Sequence, residues 1–294
     1  MTITFFKISL WFTKLYQSFL SLIKVIFLSK NVRKFREIKA ISDRIIILGN
    51  GPSLKEDLES NIENVKNNEI ICVNHFANSD YYEILKPRHY VAIAYDLFMD
   101  DVFPHFIEAS NSLFENIAEK TSWEMYFYVP HIAKKHKRWL KIISKNRNIS
   151  IIYINLTPIE GFKCFRHFLY NNLLGMPRPH NVMIPSIFIA LNLNVKEIVL
   201  LGVDHSWLKE IHVDDNNNAL FFNKHFYDNH NSAKGFDRYG KEFLKLHEIL
   251  ITLSRAFESY HILNEYSKSK KINIYNCTKG SYIDAFERKN IKDF

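Results

Sequence analysis

The hydrophobic and polar positions of this chain follow two patterns, short apolar runs and longer amphipathic stretches. The clearest run is 44–48, Arg-Ile-Ile-Ile-Leu, in which four apolar residues follow one another and three of them are β-branched. Such a run predicts a strand that is buried on both faces. Similar runs predict six more strands, at 69–74, 90–94, 123–129, 150–154, 196–201 and 271–275.

Helices are predicted between these strands, where apolar residues recur at spacings of three and four. The longest helix covers 239–268, and shorter ones cover 133–145, 161–174 and 181–193, the last of them capped by Asn181. Alternating strands and helices indicate a parallel sheet with helices on its faces. We therefore predict an α/β fold, a Rossmann-like, mostly parallel sheet flanked by helices, with an N-terminal amphipathic helix.

The first predicted strand leads into the turn Gly49-Asn50-Gly51-Pro52-Ser53. Gly49 and Gly51 can adopt positive φ and let a ligand approach the backbone closely. Ser53 is a candidate N-cap for a helix that begins near Leu54. A buried strand, a glycine-rich turn and a helix N-terminus often hold a phosphate together, but the same pattern also fits a tight turn without a ligand.

Polar residues also follow the later predicted strands. Asn74 follows the second strand, Tyr95 and Asp96 the third, and Asp204 and His205 the strand at 196–201. Open α/β sheets build their binding crevice at the carboxyl ends of parallel strands. We therefore expect these side chains to share one crevice with the turn at 49–53.

An irregular polar insertion at 209–237 interrupts the pattern before the long helix. It carries His212, His225 and His230. A loop of this length inside a compact domain is typically an active-site lid or disordered. We predict a lid-like insertion at about 208–238, although isolated loop histidines are more often plain surface residues than ligands.

The N-terminal segment 4–28 is strongly apolar but is interrupted by Lys7, Lys14 and Lys24. On a helix, one apolar stripe is formed by Phe5, Ile8, Phe12, Leu15, Phe19, Leu22 and Ile26. Two interpretations remain open: an interfacial helix on an anionic membrane face, and a helix packed on the domain or on a partner subunit. A spanning helix is disfavoured, because Lys14 would lie near its middle. We divide the chain into this segment, 1–42, and a nucleotide-binding catalytic domain, 43–294.

Composition narrows the class of protein. The chain has 294 residues, 47% of them hydrophobic and 15% aromatic, with a net charge of +8. This composition favours a folded protein with anionic partners, and no nucleic-acid-binding motif is found. The three cysteines, Cys72, Cys164 and Cys277, are far apart in sequence, which favours free thiols and a cytoplasmic location. If the N-terminal helix binds a membrane, the protein would lie at the inner face of the cytoplasmic membrane.

Three blocks of the sequence resemble the MptE-like family, which includes bacterial motility accessory factors, and the bacterial sialyltransferases typified by the Campylobacter lipooligosaccharide enzymes. The blocks are Gly49 to Leu54, Lys196 to Asp204 with its Gly-x-Asp ending, and Tyr275 to Ser281. Both groups place an Asn after the second strand, where this chain has Asn74. The family's Ser-Gly pair before the buried helix is missing here, and Asn181-Val182-Met183 stands near that place. The resemblance covers roughly 44–288.

The resemblance implies a Rossmann-like fold and one of two activities. Members transfer a nonulosonic acid from a CMP-sugar or, in an archaeal branch, transfer diphosphate from ATP to a hydroxymethylpterin. The sialyltransferases need no metal for their chemistry and use a His base, with tyrosines near the donor phosphate. Their base lies in the lid after the Gly-x-Asp strand, and here that lid holds His225 and His230.

The preferred hypothesis is a glycosyltransferase that uses CMP-sialic acid or a related CMP-nonulosonate, without a required cofactor, in the biosynthesis of a cell-surface glycan such as lipopolysaccharide. Its acceptor would be a glycan or a lipid-linked glycan, and a homo-oligomer is compatible with it. His225 is the first candidate base, His205 the second, and Tyr227 would stabilise the leaving phosphate. The expected substrate-binding residues are Gly49, Asn50, Gly51, Pro52, Ser53, Asn74, Tyr95, Asp96, Asn181 and Asp204.

Two alternatives remain. One is a 6-hydroxymethylpterin diphosphokinase-like phosphotransferase, which would need Mg²⁺ held by carboxylates drawn from Asp96, Asp100, Asp101 and Asp204. The other is a non-catalytic nucleotide-binding module that keeps the fold and lacks the chemistry.

Overall fold

A computed structural model describes the backbone of residues 2–222, 233–235, 237–238 and 242–294, and the side chains of 7–220 and 244–294. The helices are α1 (Thr2–Leu28), α2 (Arg33–Glu37), α3 (Leu54–Lys66), α4 (Tyr81–Leu85), α5 (Pro104–Lys120), α6 (Arg138–Ile143), α7 (Lys163–Asn171), α8 (Met183–Leu191) and α9 (Leu246–Lys270). The strands are β1 (Arg44–Leu48), β2 (Glu69–Val73), β3 (His89–Val91), β4 (Met125–Pro130), β5 (Ile149–Ile154), β6 (Glu197–Leu201), β7 (His212–Val213), β8 (Ala219–Phe222), β9 (Ala233–Gly235), β10 (Asp237–Arg238), β11 (Glu242–Phe243), β12 (Asn273–Asn276) and β13 (Glu287–Arg288).

Eight strands form a central sheet in the order β13-β12-β6-β1-β2-β3-β4-β5. Every neighbouring pair in this sheet is parallel. The predicted α/β fold with a Rossmann-like, mostly parallel sheet is therefore confirmed.

Both faces of the sheet are covered, and β1 shows why its sequence is a continuous apolar run. Ile45 and Ile47 belong to the core on one face, with α8 and α9. Ile46 and Leu48 belong to the core on the other face, with α3 and α5. All four side chains are 0% exposed. Side chains alternate between the faces of a strand, so a strand covered on both faces needs apolar residues at every position.

The order of the strands reverses beside β1. The chain runs outward from β1 through β2, β3 and β4 to β5, and then returns to place β6 on the other side of β1. The loops that follow β1 and β6 therefore leave adjacent strands at the point where the topology switches. In open α/β sheets, this is the place where ligands bind.

Two predicted helices differ from the structure in length. The basic helix at 133–145 is replaced by a 3₁₀ turn, His131–Lys135, followed by the short α6. The Ala133 carbonyl accepts from the His136 amide at 3.1 Å, which closes the 3₁₀ turn, and from the indole of Trp139 at 2.9 Å. The long helix begins at Leu246 instead of 239, where the Lys245 amide donates to the Glu248 carboxylate.

The insertion before α9 also carries more regular structure than we expected. Strands β7, β8 and β9 form a small antiparallel sheet, and β10 pairs with β11. At the C-terminus, the two-residue strand β13 extends the central sheet and was not predicted.

The N-terminal segment contacts the domain. Val32, Phe35 and Ile38 are buried in the same core as the sheet. The division at residue 42 remains a prediction. No helix in the described part of the chain is long and apolar enough to cross a membrane.

Candidate functional site

The loops after β1 and β6 lie against each other at the switch point. The Gly49 amide donates to the Leu201 carbonyl at 2.8 Å, and the Gly51 amide donates to the Gly202 carbonyl at 2.8 Å. A Cβ at Gly49 would lie 2.4 Å from the Gly202 oxygen. These glycines are therefore needed for the close approach of two protein loops. Binding of a ligand at this turn stays a prediction, and it would have to use other groups of the turn.

Ser53 links the two loops through its side chain. Its hydroxyl donates to Asp204 Oδ2 at 2.9 Å, and its amide donates to the same oxygen at 3.4 Å. Helix α3 begins at Leu54 as predicted, but Ser53 makes no side-chain capping hydrogen bond. Ser53 is thus the N-cap residue of α3 by position, as expected, but its side chain bonds to Asp204 and not to the first turn of the helix.

Asp204 and Asp57 form an acidic pair at the place where the loops after β1 and β6 meet, which we call the corner. Burial raises the pKa of Asp204, although the hydrogen bonds from Ser53 act in the opposite direction. Burial also raises the pKa of Asp57 to about 6, and the charges of Asp204 and Glu56 add to the shift. Asp57 Oδ2 is buried and has no hydrogen-bond partner among the described residues. The corner therefore offers two carboxyl groups that are protonated more readily than ordinary aspartates.

The C-terminal block braces the loop that carries Asp204. The Val203 amide donates to the Thr278 hydroxyl at 3.0 Å, and the Ser281 hydroxyl donates to the Val203 carbonyl at 2.7 Å. The Tyr282 amide donates to the Asp204 carbonyl at 2.8 Å. The sequence block Tyr275 to Ser281 thus has a clear structural role, which is to fix the loop after β6.

His205 follows Asp204 and is enclosed. Its side chain is 9% exposed, and its ring stacks on Trp207 with the centroids 4.2 Å apart. Its φ of 49° lies in the left-handed region, which His adopts more readily than most residues. Burial lowers the pKa of His205 to about 3, so the ring is neutral at physiological pH.

A hydrogen-bonded chain fixes the proton on this neutral ring. Asn181 Oδ1 accepts from the amides of Met183 and Ile184 at 3.0 and 3.3 Å, which identifies that atom as the oxygen and confirms that Asn181 caps α8. The Tyr260 hydroxyl donates to the same oxygen at 3.0 Å.

The single proton of the Tyr260 hydroxyl is then used, so the 3.0 Å contact between Tyr260 Oη and His205 Nδ1 requires Nδ1 to donate. Neutral imidazole carries one proton. His205 Nε2 is therefore left as a lone-pair acceptor.

Asn74 and Asn50 meet at the end of β2. The Asn50 side-chain amide donates to the Val73 carbonyl at 3.0 Å. Asn74 has a φ of 45°, and its Oδ1 is buried without a hydrogen-bond partner among the described residues. The Tyr90 hydroxyl donates to the Asn74 carbonyl at 2.5 Å and fixes the turn. The role of Asn74 in binding a ligand stays a prediction.

The remaining predicted residues are less closely connected to this corner. Pro52 is exposed in the turn. Tyr95 and Asp96 are half-buried in a 3₁₀ turn after β3, two strands from β1. Asp100 pairs with Arg138 at 3.1 Å and with His136 at 3.5 Å.

The four aspartates proposed for Mg²⁺ do not form a joint site. No group of three His, Cys, Asp or Glu side chains is placed to hold a metal ion within the described residues.

Our first candidate base, His225, is not among the residues that the structure describes. Tyr227 and His230 also lie outside the described residues, and the roles of all three stay predictions. His212 is exposed in β7. The described part of the insertion therefore supplies no candidate base.

Sequence reasoning missed Asp57 and Tyr260. Asp57 was seen only as a favourable charge in the first turn of a helix, and Tyr260 only as a core residue at helical spacing. For Tyr260, the sequence offers one signal, which is a hydroxyl group at a position predicted to be in the core. A buried hydroxyl needs a hydrogen-bond partner, so its presence indicates a polar group nearby. Its partner, His205, is 55 residues away in sequence.

Comparison with known proteins gives a distant likeness of fold. No family model and no curated protein matches this chain. The MptE-like resemblance accordingly stays a prediction. Among solved structures, the chain is similar to the MAf glycosyltransferase from Magnetospirillum magneticum AMB-1, with 12% identity and a TM-score of 0.49. The match covers 90% of this chain and 38% of the other. The chain spans less than half the length of that protein.

Proposed function

We propose that this chain is a glycosyltransferase that uses a nucleotide-activated sugar, with a CMP-nonulosonate such as CMP-sialic acid as donor, in the synthesis of a cell-surface glycan. The observation that carries the proposal is the neutral His205, which follows Asp204 in the loop after β6 at the switch point of the sheet and whose Nε2 keeps a lone pair. The sequence resemblance supports the choice of donor, and the name of the distant structural neighbour agrees with the reaction class.

The groups at this corner suit a ligand rich in hydroxyl groups. His205 Nε2 and the carboxylates of Asp204 and Asp57 are hydrogen-bond acceptors, whereas the amides of Gly49 and Gly51 already donate within the protein. Hydroxyl and amino groups are donors, and a phosphate in its ionised form is an acceptor. The corner therefore favours the ribose, the sugar or a base amino group, and the donor phosphate would be held from another side.

The proposed reaction assigns the acceptor proton to His205. As the acceptor oxygen bonds to the anomeric carbon, its proton passes to His205 Nε2, and the bond from that carbon to the CMP phosphate oxygen breaks with its electron pair leaving on the phosphate. A base with a pKa of about 3 is weak. It suits a late proton transfer, because a hydroxyl becomes strongly acidic once its oxygen has begun to bond to carbon.

The donor is tested first, by thermal shift of the full chain with CMP, CDP, UDP, GDP and ATP, each with and without Mg²⁺. A ligand that binds only the folded state raises the melting temperature by mass action. We expect a shift with CMP that does not require Mg²⁺. A shift only with ATP and Mg²⁺ would overturn the proposal in favour of the diphosphokinase.

The base is tested by substitution in a transfer assay with a CMP-sugar. We expect His205→Ala to lower kcat/KM by about 10²–10⁴-fold, the usual contribution of a general base. His225→Ala is the competing variant. A large loss with His225→Ala and unchanged turnover with His205→Ala would move the base into the insertion. Tight CMP binding without transfer from any CMP-sugar would favour the non-catalytic module.

Tyr260 is a positioning residue for His205, and the same helix offers a matched control. Tyr266 is also buried in α9, and its hydroxyl lies 2.8 Å from Asn171 Oδ1 and 3.1 Å from Asn192 Oδ1, either of which can accept its single proton. We expect Tyr260→Phe to lower kcat/KM by about 10-fold, a fraction of the general-base effect, and Tyr266→Phe to leave it within about twofold at a similar loss of stability.

Nitrogen-15 NMR of the His205 ring gives a readout that a purely structural role would not change. We expect a proton on Nδ1 in the natural chain and a mixture of tautomers in Tyr260→Phe. A proton on Nε2 in the natural chain would contradict the assignment.

A further inference from the structure

Helix α1 contacts the domain through its small polar residues. Ser18 is 9% exposed and Ser21 is 0% exposed. The Ser18 hydroxyl accepts from the Phe162 amide at 3.0 Å, and the Ser21 hydroxyl accepts from the Glu160 amide at 2.9 Å. A Cβ on Gly161 would lie 2.1 Å from Ser18 Oγ. The serines and this glycine allow the helix backbone to approach the loop closely, which fixes the orientation of α1.

This orientation leaves the apolar side of α1 in solvent. Phe12, Phe19 and Ile26 are spaced by seven residues, lie on one side of the helix, and are 59%, 60% and 66% exposed. The remaining large apolar residues of α1 that are exposed are Ile8, Leu10, Trp11, Leu15, Tyr16, Leu22, Ile23, Phe27 and Leu28. A contiguous apolar surface of this kind marks an interaction site.

The charge of the same segment indicates what covers this surface. Residues 1–36 contain seven Lys or Arg and no Asp or Glu. Lys7, Lys14, Lys30, Arg33 and Lys34 are exposed. Aromatic and aliphatic residues on one side of a helix, combined with cations and no anions, match the boundary of a bilayer that carries anionic headgroups.

We propose that α1 binds the surface of an anionic lipid bilayer, with Phe12, Phe19 and Ile26 in the acyl boundary and its cations at the headgroups. A second copy of the chain is a poorer occupant, because pairing two such helices brings two sets of like charges together without an acid to offset them. This inference rests on residues 1–36 and does not depend on the proposed function.

The test is sedimentation of the full chain with vesicles of phosphatidylcholine, alone or with 30% phosphatidylglycerol. We expect binding to the mixed vesicles at low ionic strength, at least about 10-fold weaker binding to pure phosphatidylcholine, and weaker binding in 0.5 M salt because ions screen the headgroup charge. A chain that stays in the supernatant with both vesicles overturns the proposal.

Substitutions then distinguish the contribution of α1 to vesicle binding from that of exposed apolar residues elsewhere in the chain. We expect the triple variant Phe12→Ser, Phe19→Ser, Ile26→Ser to bind mixed vesicles at least about 10-fold more weakly, since each buried apolar group contributes to partitioning. The control changes three exposed apolar residues outside α1, Ile84, Leu250 and Ile251, which are 45–48% exposed, to Ser and should bind like the natural chain. Equal loss in both variants contradicts a role for α1.

Trp11 provides an internal reporter. It is 50% exposed, whereas Trp139 is 0% exposed. We expect mixed vesicles to shift the tryptophan emission to shorter wavelength, and Trp11→Phe, which keeps an aromatic ring, to bind normally without that shift. A dimer that forms without lipid and is lost in the triple variant would assign the surface to a second copy and overturn the bilayer proposal.

Discussion

Helices α8 and α1 are both strongly apolar, yet one is enclosed on all sides and the other presents its apolar side to solvent. All nine residues of α8 are buried, including Ser186, whose hydroxyl donates to the Val182 carbonyl at 2.8 Å. In α1, the buried residues within the described side chains are Ser18 and Ser21. Apolar content therefore does not decide which helix enters the core.

The difference follows from what each helix contacts. Helix α8 packs between α9 and the strands β1, β2 and β6, so apolar surface surrounds it. Helix α1 meets the domain at the loop 160–162, where backbone amides need acceptors. Serines at that contact satisfy those amides, and the apolar residues of α1 are left for another partner.

The largest expected difference between the two helices is in core packing. Phe188 of α8 is 2% exposed and lies against Tyr170 and Tyr266. We expect Phe188→Ala to lower the free energy of unfolding by about 3–5 kcal/mol through lost burial and a cavity. Phe19→Ala on α1 should change it by less than about 0.5 kcal/mol. Urea unfolding measures both, and similar losses would show that α1 is part of the core.

Gly161→Ala tests the contact of α1 with the domain. Gly161 has a φ of 107°, and its new Cβ would also meet Ser18. Gly280 has a φ of 71° with nothing within 4 Å of an added Cβ, so Gly280→Ala carries the backbone strain alone. We expect about 1–2 kcal/mol of destabilisation for Gly280→Ala from strain, and faster proteolysis within α1 only for Gly161→Ala. Equal protection of α1 in both variants would contradict the docking described here.

Ser21→Ala tests the hydrogen bond within the same contact. The Glu160 amide would lose its acceptor, and we expect α1 docking to weaken by about 1–2 kcal/mol. Amide hydrogen exchange of α1 measures the change. Thr13→Ala is the control, because the Thr13 hydroxyl donates only to the Ser9 carbonyl within the exposed part of the helix. Unchanged exchange in Ser21→Ala would assign the contact to other groups.

Mild acid is expected to lower the stability of the folded domain and to leave vesicle binding by α1 unchanged. Burial lowers the pKa of His89 and of His205, the latter to about 3, so the folded state binds fewer protons than the unfolded state below about pH 6.5. His205 therefore lowers stability by roughly 0.7 kcal/mol between pH 7 and 6, and the raised pKa of Asp57, at about 6, offsets part of the loss from the two histidines.

Calorimetry over this pH range measures the effect. Vesicle binding by α1 should be unchanged over the same range, because α1 contains no histidine. A melting temperature that rises from pH 7 to 6 would contradict the burial of these histidines as neutral rings.

The sequence predicted the sheet well because its strands are continuous apolar runs. Strands β1, β2, β5 and β6 begin and end within one residue of the predicted bounds. The helix predicted at 133–145 was wrong in its first half, where the chain forms a 3₁₀ turn that the indole of Trp139 holds through the Ala133 carbonyl. Several predicted site residues do meet, since the carboxyl ends of β1, β2 and β6 are adjacent. The contact of Ser53 with Asp204 spans 151 residues and has no local signal.

The sequence alone determined the α/β class, the buried parallel strands, and the set of polar residues at their carboxyl ends, because periodicity and turn chemistry are local properties. Only the tertiary structure decided that Gly49 and Gly51 serve a loop contact, that Tyr260 fixes the proton of His205, and that α1 docks through serines. These outcomes depend on which distant groups share a hydrogen bond or a surface. Such pairings follow from packing over the whole chain, which no local pattern encodes.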